Sequence, residues 1–320
     1  LEARRKALGE EAHLPAETPD GRRLQVMVNV ESLRDLDMFH AGHTDGLGLV
    51  RTEFLFHDPR GLPDEAEQTA VYGRILRWAK GRPVTIRTLD AGGDKPIPGL
   101  TLDGEQNPFL GLRGIRLSLA RPEVFRVQLR ALLRASSQGR LKIMIPMVSV
   151  PEEMERVRAM LGEARAELAA AGARPDEVGL GMMVEVPAAA IGLDLFETDF
   201  VSIGSNDLVQ YTLAAGRDSD AVAALADAAN PAVLRLVGMV VRAAGARGIP
   251  ASLCGEAGAD PRVLPLLLAE GLRSVSVAPG RVGEVKRVVS SFRRQRPRDL
   301  RANLASRRGR VLGLSGTARG

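Results

Sequence analysis

The chain has 320 residues and 34.3 kDa, the size of one large barrel or two average domains, with a composition (45% hydrophobic, 26% charged) ordinary for a soluble α/β protein. No 18-residue apolar run is present to span a membrane, the start LEARRKALGEEAHLP lacks a signal-peptide core, and the lone Cys254 excludes an internal disulfide and a cysteine-based zinc site; a cytoplasmic location is expected. The net charge of +5 belongs to the end of the chain: residues 281–320 hold twelve Lys/Arg against two Asp/Glu, while the other 280 residues hold 32 basic and 37 acidic groups, so the body is not built to attract nucleic acid.

Short apolar runs rich in Val and Ile follow one another along the chain. They are QVMVNV (25–30), GLGLVR (46–51), VTIRTLD (84–90), LKIMIPM (141–147), GLGMMVEV (179–186), FVSIGSND (200–207), ASLC (251–254) and SVSVAP (274–279). Runs without strict alternation predict parallel strands buried on both faces. Amphipathic stretches such as 151–172 and 231–248 lie between them. Eight strands alternating with helices predict an α/β fold, a (β/α)8 TIM barrel, with an open doubly wound sheet as the alternative. The connection 91–140, containing GGDKPIP and NPFLGLRGIR, is too long for one loop; an insertion after the third strand, folding over the mouth, is expected. The barrel is expected over 25–287, followed by a basic, disordered tail over 288–320.

Strand after strand ends in polar residues: Asn29, Arg51 with Glu53, Arg87 with Asp90, Glu185, Asn206 with Asp207, and Cys254 with Glu256. In a barrel these ends share the face on which active sites are built. Arg51, Arg87 and Arg217, with Lys95 and Arg113, would surround that mouth with cations, as a small substrate of several negative charges requires. The alternative is a structural network in which Glu53 neutralises Arg51 and Asp90 neutralises Arg87. Glu185 and Asp207 end adjacent strands, and two hard oxygen ligands without His or Cys fit Mg²⁺ or Mn²⁺. A salt-bridged pair or a proton-sharing pair remains open. His13, His40, His43 and His57 fall outside the strand ends and receive no role. Cys254, at the end of the seventh strand, is either a reactive group at the mouth or a small buried hydrophobe.

GLGLVRTEFLF (46–56), TIRTLDAGGDKPIP (85–98), NPFLGLRGIR (107–116), MMVEVPAAA (182–190), SIGSNDLVQYTLAAGRD (202–218) and LCGEAGADP (253–261) together resemble the phosphoenolpyruvate-binding domain of the phosphoenolpyruvate–protein phosphotransferases, enzyme I of the bacterial sugar phosphotransferase system. The resemblance runs in order from about residue 25 to 283. Pyruvate phosphate dikinase and phosphoenolpyruvate synthase share the barrel, but RTEFLF and RTLDAGGDK look like enzyme I. The resemblance implies that Arg51, Arg87 and Arg217 grip the phosphoryl group and that Asn206 binds substrate. Lys95 and Arg113 would add positive charge, and Glu185 and Asp207 would hold Mg²⁺. Cys254 would be the proton donor to the enolate, giving pyruvate. It also implies a homodimer.

There are departures from that pattern. The sequence reads AAGRD where the family usually has an Asp before its Arg, and SNDL where TNDL is commoner. Nothing resembles the swivelling domain that carries the phosphoacceptor histidine, and residues 1–24 resemble the end of an interdomain linker. The implied reaction passes the phosphoryl group of phosphoenolpyruvate to a protein histidine, and from there to a phosphocarrier protein. The histidine domain would be supplied separately. A noncatalytic phosphoenolpyruvate sensor or partner-dependent subunit is the alternative, and an enolate-forming lyase is disfavoured by GGDK and CGE.

Overall fold

A computed structural model describes residues 12–57, 61–93, 95–102, 104–216 and 219–292. Eight parallel strands close in sequence order into a barrel: β1 (Gln25–Val30), β2 (Leu47–Val50), β3 (Val84–Arg87), β4 (Leu141–Ile145), β5 (Gly179–Val184), β6 (Val201–Gly204), β7 (Ala251–Cys254) and β8 (Ser274–Val277). The helices are α1 (Leu33–Asp37), α2 (Glu65–Trp78), α3 (Ile115–Ala120), α4 (Pro122–Ala135), α5 (Pro151–Ala170), α6 (Pro187–Ile191), α7 (Ser205–Leu213), α8 (Pro231–Ala246), α9 (Leu264–Ala269) and α10 (Val282–Ser291). The (β/α)8 expectation holds.

The strands are buried on both faces, but the two faces differ in chemistry. Outward residues such as Val84, Ile86, Ile143, Ile145, Val201 and Ile203 join the helices in one large apolar core. That branched layer stabilises the sheet by burial, at roughly 25 cal/mol per Å² of apolar surface. A separate small cluster of Leu49, Met144, Met183, Phe200 and Cys254 fills the barrel interior. Above it stand polar side chains such as Arg87 and Glu185, both buried. Alternation along each strand therefore sorts a continuous apolar shell from a polar mouth.

Local signals fix the outer helices. Asp64 caps α2 by accepting the Glu67 N–H at 2.8 Å, while Glu67 accepts the Asp64 N–H at 3.1 Å; such a reciprocal cap contributes about 1 kcal/mol. Pro231 opens α8 behind the Asn230 cap, where its missing N–H costs nothing. Among the described residues no helix is long and apolar enough to cross a membrane.

Several expected boundaries shift. The apolar runs outlast their strands, so residues 205–207 form the first turn of α7 rather than the end of β6. The segment expected as the end of a linker packs on the barrel from residue 12: Ala12, Ala16 and Leu24 belong to the core. There the buried Lys286 amine donates to the Ala12 and His43 carbonyls. The barrel also continues past residue 287, because α10 runs to Ser291 and buries Val289 and Phe292. A helix face that must cover the barrel cannot end where the charge begins. The basic residues 293–320 lie outside the described residues. The expected insertion spans the loop between β3 and α3; α4 is the barrel's own helix, packed between α2 and α5.

Candidate active site at the barrel mouth

The expected residues gather at the C-terminal ends of the strands. Arg87 ends β3 with its guanidinium buried between Glu53 and Asp90, the latter at 2.9 Å. Burial works against its charge, and the two carboxylates override it, so its pKa rises above the usual arginine value. Asp90 is the hub: it also accepts from Lys95 at 3.0 Å and from the Arg113 Nε at 3.1 Å. Burial alone would push the Asp90 carboxyl up, but Arg87, Lys95 and Arg113 outweigh it and hold the group well below the usual carboxylate range. Glu53 therefore pairs with Arg87, with Lys95 at 3.5 Å. Arg51, which the sequence pairs with Glu53, instead reaches Glu31 at 2.7 Å on the rim.

Arg113 comes from the insertion and is wholly enclosed. Its five N–H donors make five bonds: two to Asp90, two to Asp207 at 3.0 Å, and one to the Tyr211 hydroxyl at 3.2 Å. The Phe109 ring covers it at 5.9 Å, and the Phe109 carbonyl accepts from Tyr211 at 2.5 Å. The insertion thus crosses from the end of β3 to α7, as expected of a segment over the mouth. Arg113 acts as a strut between two carboxylates, with no donor left over.

On the other side, Glu185 follows β5, and its Oε1 accepts the Met147 N–H at 2.7 Å. Met147 adopts φ 59°, a left-handed conformation strained for a residue with a side chain. Gly204 leaves room for this carboxylate, since a Cβ there would stand 2.7 Å from Glu185 Oε2. Burial first, then the Asp207 and Asp90 carboxylates, push the Glu185 carboxyl up to about 8. Asn206 and Asp207 share the first turn of α7. The Asn206 amide oxygen accepts the Glu256 N–H at 3.1 Å, tying α7 to the loop after β7. Gly255, at φ 106°, permits that contact, because a Cβ there would lie 2.4 Å from Ser205 Oγ.

Cys254 ends β7 as expected, yet it is buried on the interior apolar cluster, with Sγ 3.6 Å from the Ile203 carbonyl oxygen. Burial pushes its thiol up, so it holds its proton at neutral pH. Arg217 lies outside the described residues. Among the described residues no three His, Cys, Asp or Glu side chains converge as a complete metal cage. The two hard carboxylates of Glu185 and Asp207, the first pushed up by burial and by the second, do fit a divalent cation whose other positions go to substrate and water. Tyr211, Phe109 and Met147 escaped the sequence reading, since a backbone donor and a covering ring carry no motif.

Comparison with known proteins places this geometry in context. A family model described as "PEP-utilising enzyme, PEP-binding domain" matches residues 5–294. The phosphoenolpyruvate-protein phosphotransferase of Staphylococcus carnosus is 44% identical over 286 residues, 88% of this chain and 50% of that protein. That of Bacillus subtilis is 41% identical over 295 residues, 91% of this chain and 52% of its own length. The chain spans about half the length of the relatives it matches. In overall shape it is similar to a malate synthase of Haloferax volcanii (TM-score 0.54, 12% identity, 93% of this chain and 81% of that one). A citrate lyase from Burkholderia xenovorans (TM-score 0.52, 17% identity, 94% of each chain) is likewise similar in fold alone. The match over residues 5–294 shows that the chain belongs to the PEP-utilising enzymes, as their PEP-binding domain.

Proposed function

We propose that the barrel binds phosphoenolpyruvate and drives transfer of its phosphoryl group to a protein histidine carried outside these 320 residues, releasing pyruvate. The observation that carries this reading is a mouth in which Asp90 is met by Arg87, Lys95 and Arg113 while Glu185 stands near Asp207 and Asp90, with Cys254 at the end of β7. Arg51 and Arg87 grip the phosphoryl oxygens, and Arg217, which follows α7 in the sequence, joins them. Lys95 adds charge beside Arg87, and Arg113 holds Asp207 in place. Asn206, its amide oxygen committed to the Glu256 N–H, presents its amide donors to the substrate. Glu185 and Asp207 would hold Mg²⁺, or Mn²⁺, which would supply positive charge against the anionic substrate.

In the reaction the bridging P–O bond breaks as the histidine nitrogen bonds phosphorus. The electron pair left on oxygen forms an enolate, and its methylene carbon takes the proton of Cys254. Guanidinium groups placed at the mouth stabilise the moving charge. The same reading gives a downstream phosphocarrier protein as partner, a homodimeric barrel and a cytoplasmic setting.

Cys254→Ala tests the assignment. Phosphoenolpyruvate affinity by calorimetry should stay within a few-fold, because no charge that holds the substrate is removed. Pyruvate formation with a histidine domain supplied in trans should fall by about 10²-fold or more, the usual contribution of a positioned acid. Unchanged turnover would return the thiol to packing. A wild-type barrel that binds phosphoenolpyruvate but supports no transfer would make it a sensor rather than a catalyst.

A further inference from the structure

Behind the mouth, a chain of buried polar groups crosses the apolar layer between the sheet and the helices. Its centre is Gln128, on the inner face of α4 among Phe125, Leu129 and Leu132. It is 1% exposed. Its Oε1 accepts the Leu89 N–H at 3.0 Å, and its Nε2 donates to Thr52 Oγ1 at 3.3 Å and to the Tyr72 hydroxyl at 3.0 Å. Thr52 in turn donates to the Arg87 carbonyl at 3.0 Å. Tyr72 donates to Gln68 Oε1 at 2.9 Å, and Gln68 donates to the Pro63 carbonyl at 3.0 Å. Both amide protons of Gln128 and the hydroxyl protons of Thr52 and Tyr72 each have an acceptor along this path. Gln68, Tyr72 and Thr52 are as buried as Gln128, so no water competes for the partners.

The path ends on the two segments that carry the arginines. Thr52 stands between Arg51 and Glu53; Leu89 stands between Arg87 and Asp90. We propose that Gln128 is a positioning residue: it clamps the loop after β2 to the loop after β3 and so sets the spacing of the Arg51 and Arg87 guanidinium groups. This rests on the phosphoenolpyruvate-binding reading above and adds to it a determinant that never touches the substrate. An apolar residue would fill the same volume on α4. A glutamine with both its donors and its acceptor engaged instead fixes two loops in register, and a site that must grip one phosphoryl group from two sides depends on that register.

The test compares bonds within the one network. Gln128→Leu and Thr52→Val each cut the clamp, while Tyr72→Phe removes the hydroxyl's bonds to Gln128 and Gln68 and leaves the Thr52 and Leu89 contacts standing. Affinity for phosphoenolpyruvate with Mg²⁺ is measured by calorimetry beside the melting temperature, and exchange of the Leu89 amide is followed in each variant. Gln128→Leu and Thr52→Val should each weaken binding about tenfold, equivalent to about 1.4 kcal/mol. Thr52→Ser should restore it to within about threefold, and Tyr72→Phe should lower melting with binding unchanged. Equal losses of affinity in Tyr72→Phe and Thr52→Val, or wild-type affinity in a folded Gln128→Leu, would overturn the proposal. If Gln128→Leu does not fold, the Thr52→Val and Thr52→Ser pair decides. A wild-type chain that binds no phosphoenolpyruvate would contradict the function instead. The clamp would then stand if Leu89 exchange speeds up in Gln128→Leu, and fall if it does not.

Discussion

The two halves of the mouth handle charge in opposite ways. At the end of β3, one carboxylate, Asp90, is met by Arg87, Lys95 and Arg113, and it stays ionised despite complete burial. At the ends of β5 and β6, Glu185 stands near Asp207 and Asp90 and accepts the Met147 N–H, and its carboxyl is pushed up to about 8. The first half has brought its counter-ions with it. The second has an acid excess that an added cation would settle, and this contrast points to Glu185 and Asp207 as the metal-binding side. Arg113 joins the halves, since it holds Asp90 and Asp207 at once.

Breaking the self-neutralised half should have the largest effect. Asp90→Asn keeps the shape but leaves three cations facing one another without their common partner. Removing one member of a buried ion pair typically costs about 3–5 kcal/mol, so urea unfolding should show a loss of that size. A loss near that of a surface substitution would mean that the cluster is well solvated.

The second half is sharpened by pH. Its carboxyl titrates near 4.5 when exposed and near 8 in the fold, so between those values the unfolded state binds fewer protons than the folded one. Stability without divalent metal should therefore fall as pH rises from about 4.5 to about 8, then level off. Glu185→Gln should flatten that decline while still accepting the Met147 N–H. An identical slope in wild type and variant would remove the acid excess from the account.

The smallest effect belongs to the rim. The Arg51–Glu31 pair is 32% and 62% exposed, and Glu31→Ala should shift stability by no more than about 1 kcal/mol, with that shift shrinking in salt. A larger change in thermal unfolding would show that Arg51 is held as firmly as Arg87.

Much of this arrangement was legible in the residues. Strands separated by amphipathic helices gave the barrel, because parallel strands buried on both faces must be apolar throughout their outer layer. Polar strand ends gave the mouth, since Arg87, Glu185 and Cys254 interrupt those runs at the same point. What escaped depends on distances in space. Glu53 lies two residues from Arg51 but turns to Arg87 across the sheet, and sequence proximity favours the wrong partner. Arg113 reads as a loop cation adding charge for the substrate at the mouth, and only the fold shows Phe109 and Tyr211 enclosing it. Gln128 did leave a sign, a polar residue on the apolar stripe of α4 beside Phe125, Leu129 and Leu132. The end of the barrel was misplaced because a charge run dominates residues 281–320, whereas burial of Val289 and Phe292 is set by the face of α10.

The contrast between the halves is tested most directly by titrating the chain with phosphoenolpyruvate in Mg²⁺ and again in chelator, for wild type and Glu185→Ala. The account predicts tight binding by wild type in Mg²⁺, marked weakening in chelator, and weak binding by Glu185→Ala that Mg²⁺ does not improve. Equal wild-type affinity in Mg²⁺ and in chelator would contradict it.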